Sequence, residues 1–232
     1  WGFDNYIKLF AETDFPIWYL NTFLIGLAVA VLQTVIVLAM SYTLSRLRFK
    51  GRKFLMNFML ILGMFPGFLT LILLYKVLSD LGLTETQAPL GLILVYCASS
   101  GMGYYISKGF FDTISKNIDE AAMVDGATKS QIFWQIILPL AKPIIVYTIL
   151  TSFMGPWGDY ITSSYIIGLQ NIEDWTVAIG LFQFVSGSQD TVTSYYIQFA
   201  PGAVCVALPI VVLFFMLQKY YVSGVTGGAV KG

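Results

Sequence analysis

The sequence predicts an all-α polytopic membrane helix bundle, and three observations carry that prediction. The chain is 57% hydrophobic and only 11% charged, against roughly 25% charged residues in soluble domains. Its apolar residues gather into five runs, each near or above the roughly 20 residues a helix needs to cross a hydrocarbon core. Its 13 bases and 13 acids cancel in net charge, yet they alternate in sign from one connection to the next.

Residues 1–16 set Lys8 against Asp4, Glu12 and Asp14, with Phe3, Tyr6, Phe10 and Phe15 interleaved, an amphipathic surface segment. The first span covers residues 17–45. It runs into Arg46-Leu47-Arg48-Phe49-Lys50-Gly51-Arg52-Lys53, five bases in eight positions without an acid, which the positive-inside rule assigns to the cytoplasm. The second span, 54–78, contains Pro66-Gly67, where a kink is expected because proline frees a backbone carbonyl. The connection 79–88 holds Asp80 and Glu85 and no base, so it lies outside.

A third span, 89–106, carries Gly91, Ala98, Ser99, Ser100, Gly101 and Gly103, small residues that let helices approach closely. The polar stretch 107–142, with Lys108, Lys116, Lys129 and Lys142, returns to the cytoplasm. A fourth span, 143–167, leads to an outside loop, 168–193, with Glu173, Asp174 and Asp190 and no base. The fifth span, 194–217, ends in a cytoplasmic tail, 218–232, with Lys219 and Lys231. The three inside segments hold eleven bases against four acids, a net of +7, and the remainder two bases against nine acids, or −7. Misplaced spans would not sort charge in this way.

Five spans with an outside start are an odd count. The chain opens on Trp1 with neither Met nor a charged-then-apolar leader, so no signal peptide is read and a sixth, upstream helix is expected. Cys97 and Cys205 sit inside apolar runs, far from any metal-ligand spacing. They read as buried thiols, and neither a metal site nor a nucleic-acid partner is implied.

The polar island at residues 120–143 organises the rest. Asn117 is a candidate N-cap and Glu120 would complete its capping box, so a short helix is expected from near Ile118. Gly126 can end it in the left-handed conformation after about two turns, and Thr128 with Gln131 forms a second capping box. The following helix sets Ile132, Phe133, Ile136, Ile137 and Leu140 at helical spacing against the bundle, and Pro139 and Pro143 close it. The first helix presents Ala121 and Ala122 flanked by acids, a thin face for another protein's groove with carboxylates for arginine. The same residues also suit a plain surface helix-turn-helix in which Glu120 only caps.

The spacing Glu120-Ala121-Ala122-x-x-x-Gly126, nine residues, then Ile136-x-Leu138-Pro139 resembles the motif of permease subunits of binding-protein-dependent ABC importers. Further stretches resemble the second permease of maltose-type carbohydrate importers. They are Asn21-Thr22, Tyr42 to Arg52, Met64-Phe65-Pro66-Gly67, Leu81-Gly82-Leu83-Thr84, Asp125-Gly126-Ala127 and the tail from Val222 to Gly232. The resemblance implies a type I importer permease domain over 1–232 in a bacterial inner membrane. It also implies four kinds of partner: a homologous second permease, a cytoplasmic ATPase dimer, an extracytoplasmic solute-binding protein and a carbohydrate substrate.

By that resemblance Glu120, Ala121, Ala122, Asp125 and Gly126 couple to the ATPase. Gly227, Gly228 and Lys231 of the tail would dock between its subunits, and Trp175, Phe182 and Phe184 of the outer loop would contact the binding protein. The alternatives are a disordered tail and an outer loop packed on its own bundle. Trp157, Asp159 and Tyr160 form a candidate substrate path, because Asp159 is the only acid inside a predicted span; the alternative is a polar helix-packing site. The chain has no Gly-Lys dipeptide and hence no phosphate loop. It is read as non-catalytic and without a cofactor of its own, ATP and magnesium being held by the ATPase subunits. A non-sugar solute such as a polyamine or glycerophosphodiester is the nearest alternative. A secondary transporter would need intramembrane ion or proton ligands, for which Asp159 alone is available.

Overall fold

The computed structural model describes residues 3–84, 87–98 and 101–229, and every regular element among them is helical. In chain order these are α1 (Asp4–Ala11), α2 (Phe15–Arg46), α3 (Arg52–Gly63), α4 (Gly67–Asp80), α5 (Ala88–Ala98), α6 (Gly101–Thr113) and α7 (Lys116–Val124). Next, α8 (Lys129–Gln131) continues through a π-helical run, Ile132–Ile137, into α9 (Leu138–Leu140). Then come α10 (Lys142–Gly158), α11 (Tyr160–Ile167), α12 (Val177–Ser186), α13 (Gln189–Tyr195) and α14 (Phe199–Ala229). An all-helical chain suits a bilayer, since a helix satisfies each backbone N–H and C=O within its own segment.

The helix α2 and the stretch Gln189–Gln218 are each long and apolar enough to cross a membrane, and three bent helix pairs bring the candidate spans to five. The five expected spans are recovered with differences at their breaks. Around Pro66 the chain does not merely kink: α3 and α4 meet at 102°. Pro66 sits at φ −58, ψ 117 ahead of α4, and a residue preceding proline is pushed out of helical geometry. The fourth span stops at Gly158, and Asp159, at φ −89, ψ 87, starts α11. Residues 168–193 are largely helical rather than a loop, and the fifth span runs on to Ala229.

The 32 residues of α2 form the axis of the bundle, packed by α10, α6, α5 and α12. Its outer half supplies Phe15, Trp18, Ile25 and Val29 to a large core shared with Phe153 and Trp157 of α10 and Val177, Ile179 and Phe184 of α12. Its inner half supplies Leu38 to a second core with Phe111, Ala122, Ile132, Ile137, Ala141 and Ile144. Cys97 and Cys205 are buried and form no disulfide. Apolar side chains of α3, α4 and α14 such as Phe54, Phe68, Leu73 and Phe215 stand outward, as surfaces meant for lipid or another helix do.

Polar side chains on one stripe of α2 bind it to α5 and α6. The Gln33 amide donates to the Tyr96 carbonyl at 2.9 Å, the Ser41 hydroxyl to the Tyr104 carbonyl at 3.1 Å and the Ser45 hydroxyl to Asp112 Oδ1 at 2.6 Å. The offset between partners stays at 63 to 67 residues, so the two segments run parallel in fixed register. Such bonds matter in lipid, where apolar burial drives helices together only weakly.

Close packing at the outer end is tightest at Gly180, where a Cβ would stand 1.9 Å from the Trp18 ring. Gly180→Ala is expected to lower stability by about 1–3 kcal/mol through overpacking, read as an earlier thermal midpoint of the detergent-purified protein. Gly109→Ala, whose Cβ would meet nothing within 4 Å and which lies inside α6, should not lower that midpoint.

Candidate functional site

The inner site is built on α7. Its N-cap is Ser115, whose hydroxyl oxygen accepts from the Asn117 backbone N–H at 3.3 Å; the expected cap at Asn117 is therefore corrected by two residues. Ser115 is extended at ψ 132, which places Asn117 inside the first turn. Glu120 then falls beyond the capping position and its carboxylate is left exposed to solvent. The helix ends at Val124, and Gly126 turns the chain at φ 84 while its N–H reaches the Met123 carbonyl at 3.1 Å. The second capping box forms as expected, with Gln131 N–H on Thr128 Oγ1 at 3.3 Å and Thr128 N–H on Gln131 Oε1 at 2.8 Å.

The two faces of α7 differ. Ala122 turns inward, 8% exposed, onto Phe111, Ile132 and Ile137, so it braces the helix instead of sharing the thin outer face with Ala121. Glu120, Ala121, Asp125 and Gly126 face out, joined by Met123 and by Val124 at 88% exposure. The bracing side owes its shape to the π-helical run. Ile132 and Ile137 are both buried in the same core although five residues apart, positions an α-helix sets on different faces and an i→i+5 turn brings together.

One buried ion pair joins α7 to the axis helix. Arg46, at the last position of α2, holds Asp119 through Nη1 at 3.1 Å, with the two side chains 4% and 14% exposed. Its Nη2 donates to the Ile114 carbonyl at 2.8 Å, in the turn just before α7. Beside it, Asp112 accepts from Ser45 and pairs with Lys108. Burial alone would raise the Asp112 carboxyl, but the hydrogen bonds from Lys108 and Ser45 and the charges of Lys108 and Arg52 hold it below its ordinary range. Sequence alone gives Arg46 only as a topological charge and assigns no role to Asp119, Ser41 or Ser45; their signal is a polar stripe ending in arginine on an otherwise apolar helix.

The outer site is organised by Asn21 and Thr22. The Thr22 hydroxyl accepts from the Val177 N–H at 2.8 Å, completing the first turn of α12, while the Asn21 amide donates to the Glu173 and Trp175 carbonyls at 2.6 and 3.1 Å. Trp18 Nε1 donates to the Ile172 carbonyl at 2.9 Å. Trp175 and Phe184, expected to contact a binding protein, are instead core residues at 8% and 2% exposure, both ringed against Trp18. The cause is these bonds, which fold residues 168–193 down onto α2. Phe182 alone of the three presents a surface, at 37% exposure, and stacks on Tyr160 with centroids 3.9 Å apart.

Trp157, Asp159 and Tyr160 do not converge on one exposed surface. Trp157 is 2% exposed between Tyr19 and Phe153. Asp159 caps α11, accepting from Thr162 N–H at 2.9 Å and from the Tyr96 hydroxyl at 3.2 Å. A carboxylate so engaged has a structural task at the break between α10 and α11. In the tail, Gly227 and Gly228 lie in the last turns of α14, and Lys231 lies outside the described residues.

Residues 35–227 match the family described as binding-protein-dependent transport system inner membrane component. The chain is 41% identical over 232 residues to the maltodextrin transport system permease protein MalD of Streptococcus pneumoniae, covering 100% of this chain and 80% of that protein. It is 39% identical over 234 residues to the galactooligosaccharides transport system permease protein GanQ of Bacillus subtilis, covering 99% and 80%. A solved bacterial ABC transporter involved in the import of the acidic polysaccharide alginate matches with a TM-score of 0.78 at 21% identity, covering 94% of this chain and 79% of that one; at that identity it speaks for the fold.

Removing Arg46 would strand a buried carboxylate, which costs about 3–5 kcal/mol where one partner of a buried pair is lost. Arg46→Met is therefore expected to speed limited proteolysis between residues 107 and 142, and Arg46→Met with Asp119→Leu should restore most of the resistance. Equal cleavage in the single and double variants would show that the ion pair does not hold α7.

Proposed function

The chain belongs to the family of binding-protein-dependent transport system inner membrane components, and from that premise we propose that it is one membrane-spanning subunit of an ATP-driven importer for an oligosaccharide or related carbohydrate. The observation that carries the reading is the two-faced helix α7: Ala122 seated in the inner core, with Glu120, Val124 and Asp125 displayed to solvent. The sugar class is supported by the relatives named for maltodextrin and galactooligosaccharides.

In this reading the outward face of α7 enters a cleft of a cytoplasmic ATPase, where Glu120 meets a basic side chain in a charge-assisted bond. ATP and magnesium belong to that ATPase, and this chain does no hydrolysis. Closure of the ATPase pair displaces α7 together with α2, since the Arg46–Asp119 pair and the inner core tie the two. A homologous second permease completes the pathway, and the complex turns between inward and outward openings as rigid parts. Outside, Phe182 and the rim of residues 168–193 face a solute-binding protein. The bilayer is the bacterial inner membrane.

Glu120→Ala in the reconstituted transporter is expected to cut solute uptake about tenfold, the loss of one hydrogen bond to a charged group, while the subunits still co-elute. Unchanged uptake with normal assembly would remove α7 from the coupling role.

A further inference from the structure

We propose that the turn between α2 and α3 is a binding site for the headgroup of an anionic phospholipid of the cytoplasmic leaflet. An open cleft of about 610 Å³ lies there, lined by Arg48, Phe49, Gly51, Arg52, Lys53, Phe54 and Met56. It rests on the cytoplasmic placement of residues 46–53 and is independent of the solute carried.

The bases of this turn are divided in their use. Arg46 is consumed by Asp119. Arg48, Arg52 and Lys53 take part in none of the ion pairs among the described residues. The Asp112 carboxylate feels the charge of Arg52 but is engaged by Lys108 and Ser45. Three cations thus line one cleft without a direct ion-pair partner among the described residues, and only Arg52 feels a protein carboxylate at longer range.

The backbone adds to this field. Gly51 turns the chain at φ 89, and a Cβ there would meet nothing within 4 Å. As N-cap of the twelve-residue α3 it offers no side-chain acceptor, so first-turn N–H groups remain for an anion.

The apolar part of the lining separates a lipid from a free phosphate. Phe49 is 41% exposed, Phe54 74% and Phe58 45%, and the Phe54 and Phe58 rings lie parallel, 10° apart in plane, at 6.0 Å. They continue from the cationic cleft along α3, the direction an acyl chain would take into the bilayer. A soluble anion has no use for this extension, whereas a basic pocket beside transmembrane helices with an apolar approach suits a lipid headgroup.

The test uses the intact transporter in detergent with phosphatidylglycerol or phosphatidylcholine carrying a photoreactive acyl chain. The wild type should crosslink phosphatidylglycerol within residues 48–58, identified by mass spectrometry, and phosphatidylcholine several-fold less. Arg48→Gln and Lys53→Gln, alone and combined, should weaken phosphatidylglycerol retention about fivefold per base removed, the worth of one juxtamembrane cation near an anionic surface. Crosslinks confined to other segments, or equal labelling by the two lipids, would overturn the site. Displacement by millimolar inorganic phosphate as readily as by short-chain phosphatidylglycerol would also overturn it, assigning the cleft to free anions. The wild-type crosslink stands whether or not the variants assemble.

Discussion

An arginine side chain that is 4% exposed must be answered by an acid, and the acid that answers Arg46 is carried by α7. Much of the inner half of the molecule follows from that requirement. The ion pair, the bond from Arg46 to the Ile114 carbonyl and the bond from Ser45 to Asp112 fix the end of α2 against α6, the 114–115 turn and α7 at once. Apolar contacts around Ala122 then close the space without needing to specify it. Directed bonds fix where these elements meet, and packing fills in around them.

At its other end the same helix performs a different task by similar means. Trp18, Asn21 and Thr22 satisfy carbonyls and an N–H of the segment 172–177, and the aromatic rings of Trp175 and Phe184 then stack around Trp18. So α2 is a single rod of 32 residues one end of which organises the cover formed by residues 168–193 and the other end of which holds the proposed coupling helix. Domain-scale motion in such a bundle is movement of tied parts, since packed cores shift between arrangements instead of deforming smoothly. A displacement of α7 is therefore felt first by α2, and through the polar stripe from Gln33 to Ser45 by α5 and α6.

The span count was legible in the sequence, because it depends on summed hydropathy, which needs no partner. The turn at Gly126 and the capping box of Thr128 with Gln131 were legible for a similar reason: their atoms lie within four residues of one another. What escaped depended on distant partners. Asn117 and Ser115 are both competent caps, and the choice of Ser115 is made where Arg46 pins the preceding turn. Trp175 and Phe184 are apolar residues in an outside segment, a pattern equally suited to a docking surface or a core. Only the bonds from Asn21 and Thr22, more than 150 residues away in sequence, decide for the core. Asp159 could be read as a pathway carboxylate until its partners Thr162 and Tyr96 were in place.

The basic stretch 46–53 shows how a topological signal can conceal chemistry. A positive-inside rule counts five charges and asks nothing of their geometry. In the folded chain the first charge is withdrawn into a buried pair, while three others line an open cleft edged by phenylalanines. The two uses are mechanically related, since they sit on either side of the same turn. Arg46 anchors the end of α2 to the proposed coupling helix, and a headgroup held by Arg48, Arg52 and Lys53 would anchor the start of α3 to the leaflet. The turn between them, with left-handed Gly51 at its centre, then becomes the joint across which a moving α2 works against a helix held by the membrane. Neutralising these cations would also relieve a like-charge repulsion that Asp112 offsets only at Arg52, so an anion bound there would stabilise the turn whether or not it takes part in motion.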